Sequence, residues 1–509
     1  MHTGAAGIVE WTIPELESSR FMQRSATTIV SSSFLAITLG LTGCAATATG
    51  NQAATSSNSA QSSDAGAADG QSTTAASTFF AGDATHEVSI VWDETAYAGM
   101  IAAYEKDGSK EWIKADITID GTQVSDIGVR LKGNSTLRSL SGGAAGGPAG
   151  GGGTSSMISS DVPESLPLLI DFDKYVDGQT FEGLTQLSLR PGSPVLNEAL
   201  ALALTEASGQ VTQRYAYTTY SVNGSATQTR LLVENPDETY ADSLFDSAGV
   251  LYKSDAESSF TYRGEDLAKY EEQFKQLNRE DTEDLQPIVD FLKWLSEASD
   301  EEFDAELANW VDVDSFARYA ATMNLLVNGD DMAGPGQNYY LWYDLETKKI
   351  SIISWDLNLA MTGNATASPD EEVSIGGGGG GGGEGPGGMQ APAANGNAGA
   401  PPDMAGPRNA DAGTDPAAGA DTKGMGGGKG GNALKERFLA SAAFQPIYHS
   451  AYAALYEQLY DSGTAAALLQ EITTTVPTSD NLTAAQLADQ AATLKTFIQE
   501  RTAALKDQI

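Results

Sequence analysis

The chain has 509 residues, and its 29 Lys and Arg against 68 Asp and Glu give a formal net charge of −39. This acidic balance excludes the basic surface that neutralises a nucleic-acid backbone, so we expect no nucleic-acid partner. One cysteine excludes an internal disulfide, and three histidines leave carboxylates and amides as the main chemical groups.

Residues 1–44 predict an export signal. Arg20 and Arg24 precede a short apolar run at 27–39, and Leu-Thr-Gly-Cys at 41–44 resembles a bacterial lipobox. This resemblance implies lipidation of Cys44 and an extracytoplasmic protein anchored to the cell membrane. The alternative is a lone buried cysteine after an ordinary signal.

Three segments of low complexity interrupt the chain. Residues 45–79 are mostly Ala, Ser, Thr, Gly, Gln and Asn, a composition typical of a flexible tether. Residues 142–153 and 376–431 hold 8 and 22 of the 55 glycines, which indicates a Gly-rich insertion and a disordered Gly/Ala/Pro-rich insertion. The core is therefore expected to combine residues 80–361 with a helical part at 432–509.

The remaining sequence predicts strands first and helices later. Alternating or apolar runs predict strands at 86–92, 112–119, 127–132, 166–172, 184–189, 215–222 and 229–233, with Asn223-Gly224 as a hairpin turn. Helical periodicity appears at 194–207, 285–298, 301–310 and 315–327, the last with Asp314 as N-cap, and in three helices after Leu434. This order predicts an α+β fold with a sheet-rich N-lobe and a helical C-lobe.

Polar residues with chemical potential concentrate between positions 324 and 361. Asp330 and Asp331 follow a predicted helix, Asn338 opens a strand, and Asp356 and Asn358 end another, on one face of an extended chain. Phosphoryl transfer to a hydroxyl needs a carboxylate at the attacking oxygen and carboxylate and amide ligands for Mg²⁺, and protein kinases supply these in the same order. The alternative is a solvated turn at Asp330 and Asp331 and a strand cap at Asp356.

Seven short motifs, in order, resemble those of the CotH kinase family, the atypical protein kinases named after a spore coat protein. They are GVRLKGNS at 128–135, IDFDKYVDGQTFEGL at 170–184, VNG at 222–224, VE at 233–234, VLYK at 250–253, NYYL at 338–341 and WDLN at 355–358. The resemblance implies a divergent, two-lobed protein-kinase-like fold that binds ATP with Mg²⁺ or Mn²⁺ between the lobes. It also implies phosphorylation of hydroxyl side chains in an exported or cell-surface protein substrate.

The resemblance also implies roles for individual residues. Asp330 or Asp331 acts at the substrate hydroxyl, and we favour Asp330. Asp356 corresponds to the metal-binding aspartate of kinases, and Asn338 is a second metal ligand. Asn358 stands where many relatives have Asp, so it contributes a metal ligand without charge.

Five further residues are assigned to the nucleotide, with alternatives for the charged ones. Lys132, with Asn134 and Ser135, follows a strand and precedes the first Gly tract as phosphate loops do, or Lys132 is simply exposed. Glu234 and Lys253 either form the ion pair that orients the nucleotide or are surface charges.

Departures from the family pattern keep a second function open. Glu164-Ser165, Thr229-Arg230-Leu231 and Arg190-Pro191 replace residues that relatives share. The main hypothesis is a surface-anchored kinase that phosphorylates Ser or Thr of exported proteins. The alternative is a non-catalytic pseudokinase that serves as a cell-surface binding or structural protein.

Overall fold

A computed structural model describes residues 78–80, 85–134, 136–140, 158–256, 258–373 and 431–509. The export signal with Cys44, nearly all of the predicted tether, Ser135 and almost the whole of both Gly-rich insertions lie outside these residues. Within them, sheets and helices are both extensive, so the predicted α+β class is confirmed.

Seven strands form a closed barrel in the first half of the chain. They are β1 (Thr85–Trp92), β2 (Ile113–Ile119), β3 (Thr122–Leu131), β4 (Leu168–Asp171), β5 (Gln186–Leu189), β6 (Tyr215–Val222) and β7 (Gln228–Glu234). Their order is β1-β2-β3-β4-β5-β7-β6, and β1 closes the ring by pairing in parallel with β6. All seven predicted strands are confirmed, with ends shifted by a few residues.

Local sequence explains how the barrel strands are registered. β1 alternates exposed or half-exposed residues with buried ones, so that Val88 and Ile90 face the barrel core while Glu87 does not. Asn223 and Gly224 both take positive φ, at 48° and 77°, in the turn between β6 and β7. This geometry suits the right-handed twist of a hairpin, and the predicted turn is confirmed.

A second sheet lies in the other half of the chain, where the sequence had predicted only helices around one polar hairpin. It contains β8 (Gly249–Ser254), β9 (Phe274–Gln276), β10 (Tyr339–Asp344) and β11 (Ile350–Ser354), in the order β11-β10-β8-β9. β8 and β9 were missed because each is a short run without alternation. The prediction of strands first and helices later is therefore wrong for this part of the chain.

Ten α-helices surround the two sheets in the described residues. They are α1 (Glu94–Asp107), α2 (Leu196–Ala207), α3 (Glu238–Ser243), α4 (Gln286–Glu297), α5 (Asp300–Glu306), α6 (Val313–Leu325), α7 (Ala433–Ala440), α8 (Gln445–Tyr456), α9 (Thr464–Thr475) and α10 (Ala484–Leu505). The predicted helices at 194–207, 285–298 and 315–327 are confirmed. Two details are corrected, since four helices follow residue 431 and Asp312 caps α6 through the backbone N–H of Ser315.

One arginine ties the last helix to the centre of the protein. Arg501 of α10 is completely buried and donates hydrogen bonds to the carbonyl oxygens of Asn324, Leu325 and Ala365 at 2.9, 3.3 and 3.3 Å. These carbonyls belong to the end of α6 and to the segment after β11. The C-terminal helix thus holds the segment that leads into β10 and the segment that follows β11.

None of the helices within the described ranges combines the length and the apolar character of a membrane-spanning segment.

Candidate active site

The loop between α6 and β10 positions the carboxylate of Asp330. Its Oδ1 accepts a hydrogen bond from the backbone N–H of Gly336 at 2.6 Å, and its Oδ2 accepts one from Asn338 Nδ2 at 3.0 Å. A Cβ atom on Gly336 would lie 2.6 Å from Asp330 Oδ2, and one on Gly334 would lie 2.5 Å from Asp330 Cα. Both glycines are therefore required for the loop to close around this carboxylate.

Asp331 has a different environment from its neighbour. Its side chain is only 3% exposed and forms an ion pair with Lys435 of α7, while its Oδ1 accepts the backbone N–H of Ala333 at 2.9 Å. Gly431 also donates to the carbonyl of Ala333, at 2.9 Å. Asp331 thus joins the loop to α7, and of the two predicted acidic residues only Asp330 keeps a partly exposed carboxylate.

Asp356 stands at the end of β11, where the backbone turns sharply. Its φ of 54° lies in the left-handed region, and Leu357–Leu359 form a short 3₁₀ helix after it. The expectation that Asp356 and Asn358 share one face of an extended chain is therefore wrong. The side chain of Asp356 is 27% exposed and contacts the guanidinium of Arg190.

Arg190 links Asp356 to a buried glutamate that sequence reasoning missed. It follows β5, and its Nε atom lies 2.9 Å from an oxygen of Glu198 on α2. Burial raises the pKa of Glu198 to about 7, because the loss of solvent and the nearby charge of Asp356 outweigh the attraction of Arg190. A glutamate inside an otherwise apolar helix was the one available signal for this contact.

The charge of Asp356 also reaches Asp330. Burial raises the pKa of Asp330, and the neighbouring carboxylates of Asp356 and Asp331 raise it further, against the hydrogen bond from Gly336. The fold therefore brings together Asp330, Asn338 and Asp356, which the sequence had placed in one site. Asn358 follows Asp356 closely in the chain. Its backbone carbonyl accepts a hydrogen bond from Asn197 Nδ2 at 2.6 Å.

Three cations surround the ring of Trp355, the residue before Asp356. Lys132 Nζ, Arg190 Cζ and Lys253 Nζ lie 5.2, 5.8 and 5.9 Å from the ring centroid. Burial lowers the pKa of Lys132 well below its usual range, and the charges of Lys253 and Arg190 lower it further. Burial likewise lowers the pKa of Lys253. This is a concentration of positive charge in a protein that carries 39 excess negative charges.

Lys132 and Asn134, two of the predicted nucleotide ligands, have hydrogen-bond partners within the protein. Lys132 is not an exposed lysine, since its Nζ donates to Asn235 Oδ1 at 2.7 Å. Asn134 is exposed and accepts a hydrogen bond from Lys110 at 2.8 Å. Arg130 stacks on Trp112 at 4.8 Å, and its buried Nε has no hydrogen-bond partner among the described residues.

Glu234 and Lys253 do not form the ion pair that the sequence allowed. Glu234 instead receives two hydrogen bonds from the guanidinium of Arg214, at 2.9 and 2.6 Å. Arg214 lies just before β6, next to the end of β7 in the barrel, which explains the choice of partner. Lys253 remains with the cations around Trp355.

The described residues contain no group of three or more His, Cys, Asp or Glu side chains arranged to hold a metal ion. Any divalent cation at Asp356 would therefore rely on amide oxygens and on oxygens of its substrate. Carboxylate, amide and phosphate oxygens together are the ligands that Mg²⁺ uses in phosphoryl-transfer sites.

Comparison with known proteins gives one match. The family model described as CotH kinase protein matches residues 129–505, which include every residue of the site described above. None of the curated proteins compared with the chain matches it.

Proposed function

Because the chain belongs to the CotH kinase protein family, we propose that it is an atypical protein kinase. It transfers the γ-phosphoryl group of ATP to a Ser or Thr hydroxyl of an exported or cell-surface protein. The family match supports a kinase-like protein, and the chemistry of the site supports the choice of ATP and of a hydroxyl acceptor.

The observation that carries the proposal is that acidic and basic side chains lie close together around Trp355 and Asp356. Asp330 and Asp356 stand on one side, and Lys132, Arg190 and Lys253 stand around the indole ring. A triphosphate carries several negative charges and needs cations for its oxygens, while the acceptor hydroxyl needs a carboxylate. Burial lowers the pKa of Lys132 and of Lys253, so the charged form of each lysine gains from an anionic ligand such as a phosphate.

The residues present also fit a divalent cation. Asp356 and Asn338 offer a carboxylate and an amide oxygen, and Asn338 uses its Nδ2 for the hydrogen bond to Asp330, so that its Oδ1 can serve as a metal ligand. Mg²⁺ or Mn²⁺ bound there supplies neutralisation of phosphate charge.

Each side chain then has a defined task. Asp330, with its raised pKa, is a stronger base than an ordinary aspartate, and it accepts the proton of the acceptor hydroxyl. Lys132 and Lys253 bind phosphate oxygens as point charges. Arg190, held by Glu198, fixes the orientation of Asp356.

Cellular placement is part of the same proposal. Lipidation of Cys44 anchors the protein to the membrane on its extracytoplasmic side, and residues 45–79 connect the anchor to the barrel. The lipobox-like Leu-Thr-Gly-Cys at 41–44 supports this. Metabolic labelling with a fatty-acid analogue, compared between the wild type and Cys44→Ala, tests it directly.

The decisive experiment is phosphate transfer from γ-labelled ATP by the full chain with Mg²⁺ or Mn²⁺. Asp330→Asn and Asp356→Asn are the test variants, and Asp370→Asn, on an exposed residue paired with His449, is the matched control. We expect autophosphorylation in the wild type and in the control, and its loss in both test variants. The absence of label in the wild type with either metal contradicts the proposal.

One observation favours the non-catalytic alternative. Arg190 already contacts Asp356, so a positive charge stands at the carboxylate that would bind the metal. In a pseudokinase this contact is permanent and the protein acts as a surface binding or structural element. Two results together support this alternative. Calorimetry shows nucleotide binding that is equally strong with and without a divalent cation, and no phosphate transfer is detected.

A further inference from the structure

A crevice with a volume of about 810 Å³ is lined by residues that include neither Asp330 nor Asp356. Its walls are the end of α2, the segment from residue 210 to 217, the end of β7, and α9. The volume is within the range of about 300–1,000 Å³ that is usual for ligand pockets. The residues that line it include none of the cations around Trp355.

Three polar groups in the residues that line this crevice are buried and have no hydrogen-bond partner in the described part of the chain. They are Thr212 Oγ1, Gln213 Oε1 and the hydroxyl of Tyr217, and the residues Gln213 and Tyr217 are only 1% and 2% exposed. The amide of Gln213 is oriented, because its Nε2 donates to the Tyr240 hydroxyl and to the Ser354 carbonyl, both at 3.1 Å. Its Oε1 is therefore an acceptor fixed in place without a donor, which is unfavourable unless a ligand supplies one.

The mouth of the crevice is negatively charged. Glu206 on α2 and Glu471 on α9 are both exposed, and neither forms an ion pair within the described part of the chain. Both are close to Tyr215, whose pKa is raised by burial and then by these two carboxylates. Deeper in the crevice, Glu234 is neutralised by Arg214.

We propose that this crevice binds a short extended segment of a partner protein that carries Lys or Arg. Such a segment offers cationic ends to Glu206 and Glu471, and its backbone N–H groups pair with the buried acceptors once the side chains that cover these acceptors have moved aside. Its apolar side chains match Leu184, Leu244 and Leu468, which also line the crevice. The inference does not depend on phosphoryl transfer, because none of the residues given a task in that reaction lines the crevice, although Asn235, which accepts a hydrogen bond from Lys132, does.

The test is fluorescence anisotropy with the full chain and a labelled heptapeptide containing two lysines and two leucines, in about 0.15 M salt. A control peptide with Glu in place of Lys tests whether the positive charges are needed. Free spermidine, added as a competitor, tests whether charge alone is sufficient for binding. The double variant Glu206→Gln/Glu471→Gln is compared with Glu297→Gln/Glu500→Gln, which changes net charge equally at exposed positions elsewhere.

We expect about tenfold weaker binding of the lysine peptide to the first double variant. The control double variant should bind within about twofold of the wild type. Equal weakening in both double variants overturns the proposal, because the peptide then responds only to net charge. Displacement by spermidine with no measurable affinity for the peptide itself also overturns it.

A second variant separates a ligand-binding group from a structural one. Tyr217→Phe removes a buried hydroxyl that has no partner, so the midpoint of thermal unfolding should stay equal or rise. If the hydroxyl serves the peptide, affinity falls by about fivefold in the same protein. Unchanged affinity contradicts the proposed site.

Discussion

The guanidinium of Arg190 contacts the carboxylate of Asp356, which lies 166 residues further along the chain. The same guanidinium holds Glu198 with an Nε to oxygen distance of 2.9 Å. Arg190 therefore contacts two carboxylates, and one of them, Glu198, is almost completely buried. The protonation of Glu198 thus influences the position of Asp356 through Arg190.

Replacement of Glu198 by Gln should change how stability depends on pH. The pKa of Glu198 is raised from 4.5 to about 7, so between these values the folded protein binds a proton that the unfolded protein does not. Its contribution to the free energy of unfolding is complete below pH 4.5 and is lost as pH rises through about 7. The difference in unfolding free energy between the wild type and Glu198→Gln should fall by about 3 kcal/mol over this window. Urea unfolding at several pH values measures it, and a difference that does not vary with pH contradicts the expectation.

The ion pair between Asp331 and Lys435 should matter for folding rather than for chemistry. Lys435→Met leaves the carboxylate of Asp331, which is 3% exposed, without its partner, and should cost about 3 kcal/mol of unfolding free energy. Asp331→Asn/Lys435→Met removes both charges and should cost clearly less than the sum of the two single changes. Lys293→Met, which breaks an exposed pair with Glu265, is the control and should hardly change the unfolding midpoint. Additive costs in the double variant would contradict a direct interaction.

Gly336→Ala should reduce activity by displacing side chains, because its Cβ would lie 2.6 Å from Asp330 Oδ2 and 2.7 Å from Asn338 Nδ2. We expect phosphate transfer to fall at least about tenfold. Gly99→Ala is the matched control, since nothing lies within 4 Å of its added carbon in α1. It should raise the unfolding free energy by about 0.5–1 kcal/mol and leave transfer unchanged. Equal transfer rates in Gly336→Ala and Gly99→Ala would show that the close contacts of Gly336 with Asp330 and Asn338 do not matter for activity.

Local sequence patterns predicted the elements that depend on local interactions. Alternation located the barrel strands, Asn223-Gly224 located a turn, and the order of Asp330, Asn338 and Asp356 predicted three groups that the fold brings close together. The contact of Arg190 with Asp356 had no local signal, since partners so far apart are chosen by the way the barrel meets the second sheet. For the same reason the ion pair of Glu234 with Lys253, one of the two alternatives for these residues, does not form, because the start of β6 places Arg214 against Glu234. The positive φ of Asp356 was also unforeseen, because that conformation is uncommon for any residue except glycine.

Binding of ATP should be accompanied by uptake of a proton at Lys132. Burial and three neighbouring cations lower the pKa of this lysine in the free protein, and phosphate oxygens nearby would raise it again. Calorimetry in buffers of different ionisation enthalpy, over about pH 7 to 10, measures the proton uptake. Lys132→Met should abolish it, whereas Lys495→Met on the exposed face of α10 should not. ATP binding without proton exchange in the wild type would contradict the placement of phosphate at Lys132.

The acid limb of the activity profile should lie higher than that of an ordinary aspartate. Burial and the charges of Asp356 and Asp331 raise the pKa of Asp330 above 3.8, and the base is active only when ionised. The value of kcat/KM should therefore decline with falling pH at a midpoint above 3.8. Circular dichroism over the same range separates this decline from acid unfolding. A midpoint at or below 3.8 would exclude Asp330 as the titrating base.

The position of Arg501 has a consequence for the order in which the site can form. The carbonyls of Asn324, at the end of α6, and of Ala365, after β11, both accept hydrogen bonds from Arg501, and Asn324 also accepts one from the backbone N–H of Val327. Since α6 leads into the loop that carries Asp330, this loop gains support from α10 only after segments distant in sequence have met. Docking of α10 is therefore expected to be a late folding step that completes the site.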